Sequence, residues 1–155
     1  MSTPVIAAVA WAVLLGGIGG FATTIGDWYR NLRKPPWQPP DWLFGPAWTL
    51  ILGGAAWAAV LAWNATTDSG ARTAIVIVYA VNFVCHLVWS PLFFTLRRPD
   101  WALIEVVFLW SSVLAMLVVL APLSATAGWL ILPYLLWVSF AAVLNRAIVK
   151  LNAPF

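Results

Sequence analysis

Charge is the scarcest property of this sequence. Only 8% of its 155 residues are Asp, Glu, Lys or Arg, where a soluble domain carries about a quarter. So few charges cannot wet a surface of this size, and the chain is expected to be solvated by lipid. Histidine and cysteine are almost absent too, with one of each, His86 and Cys85. A single thiol excludes a disulfide framework within the chain. A single imidazole leaves no ligand spacing for a structural zinc, so no metal site is expected. Basic runs are too short for a nucleic-acid footprint. The first apolar run has no basic stretch before it and no small-residue cleavage pattern after it, so it reads as a retained helix.

Apolar surface is what the chain has in abundance: 63% hydrophobic residues, a mean hydropathy of +0.92 and twelve tryptophans. Apolar runs fall near 5–25, 44–65, 73–96, 101–121 and 127–149. Each is about 20 residues or slightly longer, enough to cross roughly 30 Å of hydrocarbon as a helix. Lipid offers the backbone no hydrogen-bond partner, so helices are required, and the absence of strand alternation argues against a barrel. The expected fold class is an all-α membrane protein, a five-transmembrane-helix bundle forming a single domain over 1–155.

The breaks between runs carry turn chemistry. Residues 27–43 are polar and rich in proline, and 64–72 contain Asp68 and Gly70. Pro99 closes the third run, Asp100 is the expected N-cap of the fourth, and Ser124 or Thr126 that of the fifth. Five spans place the first loop, the third loop and the C-terminus on one side. That side holds Arg30, Arg33, Lys34, Arg97, Arg98, Arg146 and Lys150, leaving only Arg72 of the eight Lys and Arg residues for the other. The bias predicts a cytoplasmic C-terminus and an external N-terminus.

Tryptophans near span ends, Trp42, Trp63, Trp101 and Trp129, read as interface anchors. Others ask for more. Tyr79, Asn82, His86, Trp89 and Phe93 recur at intervals of three and four, which puts them on one helical face. Polar groups in a span face the bundle interior or a cavity, so the stripe is either interhelical glue or pocket lining. Pro91 and Pro133 predict kinks in the third and fifth spans, and Trp137 shares a face with Pro133, Phe140 and Leu144. Kinks open space, and aromatic walls suit a flat conjugated guest. His86 reads first as a neutral, hydrogen-bonded residue, with an axial haem ligand as the sharper alternative. Glu105, the one carboxylate deep in a span, snorkels, meets Arg98, or couples transport to protons. Gly16 and Gly20 form a small-xxx-small face for close helix approach, either inside the bundle or at a dimer seam.

Three stretches, "WYRNLRKPPWQPPDWLFGPAW" (28–48), "VWSPLFF" (88–94) and "LPYLLW" (132–137), are similar to the signature segments of the translocator protein family. Its bacterial members are called tryptophan-rich sensory proteins and its animal member the peripheral benzodiazepine receptor. The resemblance covers nearly the whole chain. It implies a five-helix bundle, usually a homodimer, that binds porphyrins such as protoporphyrin IX and other flat apolar, drug-like ligands, with no obligatory cofactor. It implies a pocket roofed by the first loop and bordered by Trp28, Tyr29, Trp37 and Trp48, with Asn82, His86, Trp89 and Phe93 from the third span and Trp137 from the fifth.

The chain departs from the family pattern in places. His86 stands where asparagine is common, Asn82 where glutamine is frequent, and Pro36 where some members carry a second loop tryptophan. The cholesterol-recognition tyrosine of animal members matches Arg146 here, so sterol binding has no sequence support. Family members occur in bacterial envelopes and mitochondrial outer membranes; the bacterial cell envelope is the expectation here.

The proline-rich loop has three readings: a docking peptide for SH3 or WW partners, an interface anchor, or a lid. Paired prolines stiffen it towards polyproline conformation, while Trp37 and Trp42 make it amphipathic, and the lid reading is preferred. Arg30, Arg33 and Lys34 are then candidates to meet porphyrin propionates. Function divides between a tetrapyrrole carrier or stress sensor and a light- and oxygen-dependent porphyrin-degrading enzyme using Trp28 and Trp137, with proton-coupled export through Glu105 more remote. No acid–base pair, nucleophile or metal cluster is visible in the sequence, so binding is preferred to catalysis. Cysteine-accessibility labelling checks the orientation: a cysteine placed at the N-terminus is expected to react from outside, and one at the C-terminus only after permeabilisation.

Overall fold

The breaks expected to be turns become caps and loops between long helices. The structure is a computed structural model and describes residues 2–155. Five helices are long and apolar enough to cross a membrane: α1 (Thr3–Ala22), α3 (Phe44–Asn64), α4 (Ser69–Ser90), α5 (Pro99–Leu120) and α6 (Ala125–Asn152). A short helix, α2 (Asp27–Asn31), lies in the first loop. Asp68 caps α4 by accepting the Ala71 N–H at 2.6 Å, and Ser124 caps α6 by accepting that of Ala127 at 3.3 Å.

Several boundaries differ from the expectation, each for a local reason. Asp100 is not the N-cap of α5. Pro99, whose ring presets a helical φ, starts the helix one residue earlier, and Asp100 in its first turn pairs with Arg98. α1 ends at Ala22, where Thr23 leaves the helical region with its N–H on the Gly20 carbonyl at 3.2 Å. The disturbance at Pro91 takes the form of a π turn over Pro91–Thr95, closed by the Leu96 N–H on the Pro91 carbonyl at 2.8 Å. It is followed by Arg97 in the left-handed region at φ 56°. Pro133, in contrast, lies inside an uninterrupted α6.

The helices close a ring in the order α1–α3–α6–α5–α4. Its solid half is α3, α5 and α6, where Ala55, Ala58 and Ala62 let helices approach Val113, Met116, Ile131, Tyr134 and Val138. α1 is the least buried of the five spans: only Ala8 and Leu15 are buried. Here the glycine motif behaves differently from the expectation. A Cβ on Gly16 would meet Leu52 only at 3.9 Å and one on Gly20 would meet nothing within 4 Å. The glycines therefore leave room instead of bringing backbones together.

The tightest glycine is Gly128, where a Cβ would sit 2.9 Å from the Ala121 Cβ. Gly128→Ala is expected to overpack the α5–α6 turn at a cost of about 1–3 kcal/mol, seen as a lower unfolding midpoint in detergent. Gly20→Ala, with open space before it, is expected to leave the midpoint unchanged or higher.

Candidate ligand-binding cavity

The room left along α1 belongs to a cavity of about 1150 Å³ between α1, α3, α4 and α6, with Val106 and Leu109 of α5 also on its wall. Aromatic side chains form much of its lining, and their order follows from helix periodicity. Trp48 of α3 stands edge-on to His86 of α4 at 4.8 Å and to Trp137 of α6 at 6.3 Å. Trp89 stacks on Phe93 at 5.2 Å. Within the π turn the consecutive Phe93 and Phe94 both reach the wall.

One end of the cavity is roofed by the first loop. Tyr29, Asp41 and Trp42 border it, held together by the Tyr29 hydroxyl donating to Asp41 Oδ1 at 2.9 Å and the Gln38 amide donating to the Tyr29 oxygen at 3.2 Å. The Lys34 ammonium donates to the Tyr29 carbonyl at 2.6 Å and lies 4.2 Å from its ring centre. At the far edge Asn152 of α6 clasps the backbone of Arg33, accepting its N–H and donating to its carbonyl, both at 2.8 Å. The loop is not one extended rod. A turn closed by Gln38 N–H on the Pro35 carbonyl at 3.0 Å folds it between its two proline pairs. Burial first, then the hydrogen bond to Asp41 and its charge, push the Tyr29 phenol above its ordinary pKa. A raised folded-state value means that this contact supports the lid below the ordinary phenol pKa and is lost as pH climbs through the raised one.

Of the nine residues expected to bind ligand, six border the cavity: Tyr29, Trp48, His86, Trp89, Phe93 and Trp137. Three do not. Trp28 packs edge-on behind Phe93 at 6.1 Å and borders a smaller cleft of about 390 Å³ with Asp27 and Arg97. Trp37 lies outside, 6.0 Å from Phe140, which in turn is 5.5 Å from Trp137. Asn82 is fully buried in the bundle; of the two readings of the α4 stripe, it and Tyr79 are glue. The Tyr79 hydroxyl donates to the Ala55 carbonyl at 2.6 Å. Arg30, Arg33 and Lys34 are also off the wall. Glu105 is buried away from the cavity with Oε2 unpartnered, and Arg98 is engaged by Asp100 instead.

Sequence reasoning missed Asp41, Trp57, Ser90 and the glycines of α1 as lining. The glycine run was visible, but it was read as a face for close approach, and a vacancy beside it shows only once the neighbouring helices are in place. Trp42 was read as an interface anchor; it is 71% exposed and also borders the cavity. Trp63 and Trp101, other expected anchors, lie under Arg72 and Arg98 at 4.8 and 4.2 Å.

Behind the wall runs a chain of buried polar contacts joining three helices. His86 Nδ1 is 2.7 Å from the Tyr134 hydroxyl, which donates to Asn82 Oδ1 at 3.2 Å. The Asn82 amide donates to Ser112 Oγ at 2.9 Å, and Ser112 donates to the Leu109 carbonyl at 2.7 Å. Lower down, the Asn145 amide, turned so that nitrogen donates to the Pro99 carbonyl at 3.0 Å and oxygen accepts from Leu103 N–H at 3.1 Å, ties α6 to the start of α5.

Comparison with known proteins gives a consistent picture. A family model described as TspO/MBR family matches residues 7–151. The chain is 39% identical to a tryptophan-rich protein TspO of Chlorobaculum tepidum, over 81% of this chain and 79% of the relative. A protein of the same name in Archaeoglobus fulgidus is 36% identical over 96% of both chains. The translocator protein of Bos taurus is 31% identical over 94% of this chain and 89% of its own.

The polar chain is expected to carry stability as well as position. Asn82→Leu removes the partner of both Tyr134 and Ser112 and should cost about 1–3 kcal/mol, measured as a lowered midpoint on denaturation in detergent.

Proposed function

The chain belongs to the TspO/MBR family and is an integral multi-pass membrane protein, and from that premise we propose that it binds a flat tetrapyrrole in the roofed cavity and serves as a carrier or stress sensor. The observation that carries this reading is the cavity itself: about 1150 Å³, walled by Trp48, Trp89, Phe93 and Trp137 and covered by the Tyr29–Asp41 loop. Pockets for small organic ligands are usually 300–1,000 Å³, so this one suits a large, planar, apolar guest. Aromatic faces supply dispersion and stacking to a conjugated ring without polar groups to satisfy.

The competing readings find less support. A degrading enzyme relying on both Trp28 and Trp137 would want both indoles at the macrocycle, yet Trp28 lies behind Phe93. Proton-coupled export through Glu105 would want that carboxylate at the ligand path, and it is off the wall. The relatives' name "translocator protein" favours a carrier. Under this proposal the basic end is cytoplasmic, the protein sits in a bacterial envelope as a homodimer, and the lid faces the cytoplasm. Propionates reaching Arg30, Arg33 or Lys34 would have to pass the lid's edge.

Titration of the purified protein with protoporphyrin IX is expected to quench tryptophan fluorescence to saturation. Trp48→Ala and Trp137→Ala should each weaken binding about tenfold, the loss of roughly 1.4 kcal/mol of contact. Linear, unsaturable quenching that is the same in both variants and in wild type would remove the cavity reading.

A further inference from the structure

Arg97 stands at a position that backbone chemistry reserves for glycine. The π turn after α4 closes with the Arg98 N–H on the Leu92 carbonyl at 3.0 Å, and Arg97 inside that closure is left-handed at φ 56°. Glycine normally fills such a C-terminal cap because a Cβ is strained there, and strain of this kind gathers at binding and switch sites. Among the described residues the Arg97 guanidinium has no hydrogen bond or ion pair; its neighbour Arg98 holds Asp100. Arg97 borders instead the cleft of about 390 Å³ at the basic end of the bundle, together with Thr24 and Asp27. Asp27 is equally unengaged among the described residues: it opens α2 without capping it, the N-cap being Gly26. Two opposite charges therefore flank one space without pairing across it. The cleft is neutral as a whole and dipolar, and it suits a ligand that is the same. Apolar surface adjoins it on both sides in the chain, with Phe21 93% exposed before Thr24 and Leu96 56% exposed beside Arg97. The cleft thus lies where two spans end, at the depth of lipid headgroups.

We propose that this cleft binds the headgroup of a glycerophospholipid that carries a primary ammonium, with the phosphate on Arg97, the ammonium on Asp27 and the acyl chains against Phe21 and Leu96. The site is separate from the roofed cavity and does not depend on what that cavity holds. The guanidinium offers a fork of donors to phosphate oxygens, and the Thr24 hydroxyl adds another donor on the same cleft. Two observations select the primary ammonium. A quaternary ammonium would want a free aromatic face, but the Tyr29 ring already has Lys34 Nζ 4.2 Å and the Phe94 ring 5.5 Å from its centre. A primary ammonium wants acceptors instead, and the Asp27 carboxylate is a charged one. A headgroup with a phosphate and no ammonium would leave Asp27 facing a like charge, which is disfavoured. The bound lipid would also join α2 to the end of α4. Within the protein that join consists of ring contacts, Trp28 on Phe93 at 6.1 Å and Tyr29 on Phe94 at 5.5 Å.

The test titrates the full-length protein in detergent with dioleoyl phosphatidylethanolamine, phosphatidylcholine and phosphatidylglycerol, reading bound lipid by native mass spectrometry. Wild type is expected to bind the ethanolamine lipid about fivefold more tightly than either of the others. Asp27→Asn should erase that preference, and Arg97→Gln should weaken the ethanolamine lipid about fivefold. Arg97→Gly should lose the same affinity while its unfolding midpoint holds or rises, because glycine fits the left-handed backbone; this separates lost binding from lost fold. Lys150→Gln, an exposed cation outside the cleft, should change nothing. Equal affinity for the three lipids in wild type, or a preference that survives both Asp27→Asn and Arg97→Gln, would overturn the inference. So would a preference for phosphatidylglycerol that falls as much in Lys150→Gln as in Arg97→Gln, the mark of general basic attraction. Saturable binding of phosphoethanolamine with no lipid preference would put a soluble zwitterion in the cleft and overturn the lipid assignment. Failure of the protein to bind protoporphyrin IX would leave the inference standing.

Discussion

The structure depends on a row of hydrogen bonds that lipid cannot replace. Asn82, His86, Ser112 and Tyr134 are polar groups inside an apolar bundle, and each finds its partner on another helix or on the backbone. In hydrocarbon an unpaired amide or hydroxyl is costly. The row therefore fixes the rotation of α4, α5 and α6 about their own axes, because a turn of any one would strand a donor. Once those rotations are set, Trp89 and Phe93 of α4 and Trp137 of α6 must fall on the same side, and that side is the cavity.

The opposite half of the ring is organised by vacancy. α1 buries only Ala8 and Leu15, and its glycines face the cavity without touching a neighbour closely. One firm tie is the Trp11 indole donating to the Tyr79 carbonyl at 3.2 Å. The lid is fastened differently, by Asn152 at one edge and the Tyr29–Asp41 bond at the other. Trp37, Phe140, Trp137 and Trp48 form a continuous series of ring contacts from the outer face of the lid to the cavity wall.

Much of this was legible before any coordinates. Scarce charge and five apolar runs determine a helical membrane bundle, because a chain with so little polar surface must satisfy its backbone internally. Asp68 and Ser124 declare their caps through side-chain chemistry that acts within three residues. The three- and four-residue spacing of the α4 stripe and the aromatic character of Trp137 name four residues of the cavity wall, His86, Trp89, Phe93 and Trp137, for the same reason: helical periodicity is local.

What only the tertiary structure decided is where one face gives way to another. Asn82 and His86 lie on the same stripe, yet the first is sealed between helices and the second opens on the cavity, a difference set by Tyr134 fifty-two residues from Asn82. Trp28 and Trp37 look like ligand contacts in a loop rich in tryptophan, but they pack on Phe93 and Phe140 and neither borders the cavity. Gly16 and Gly20 read as a close-packing motif, and within the chain they leave open space. Composition and spacing determine which groups a helix carries and towards which side. Whether a group meets a partner, a void or lipid depends on residues far away in the chain, and that is decided only when the helices pack.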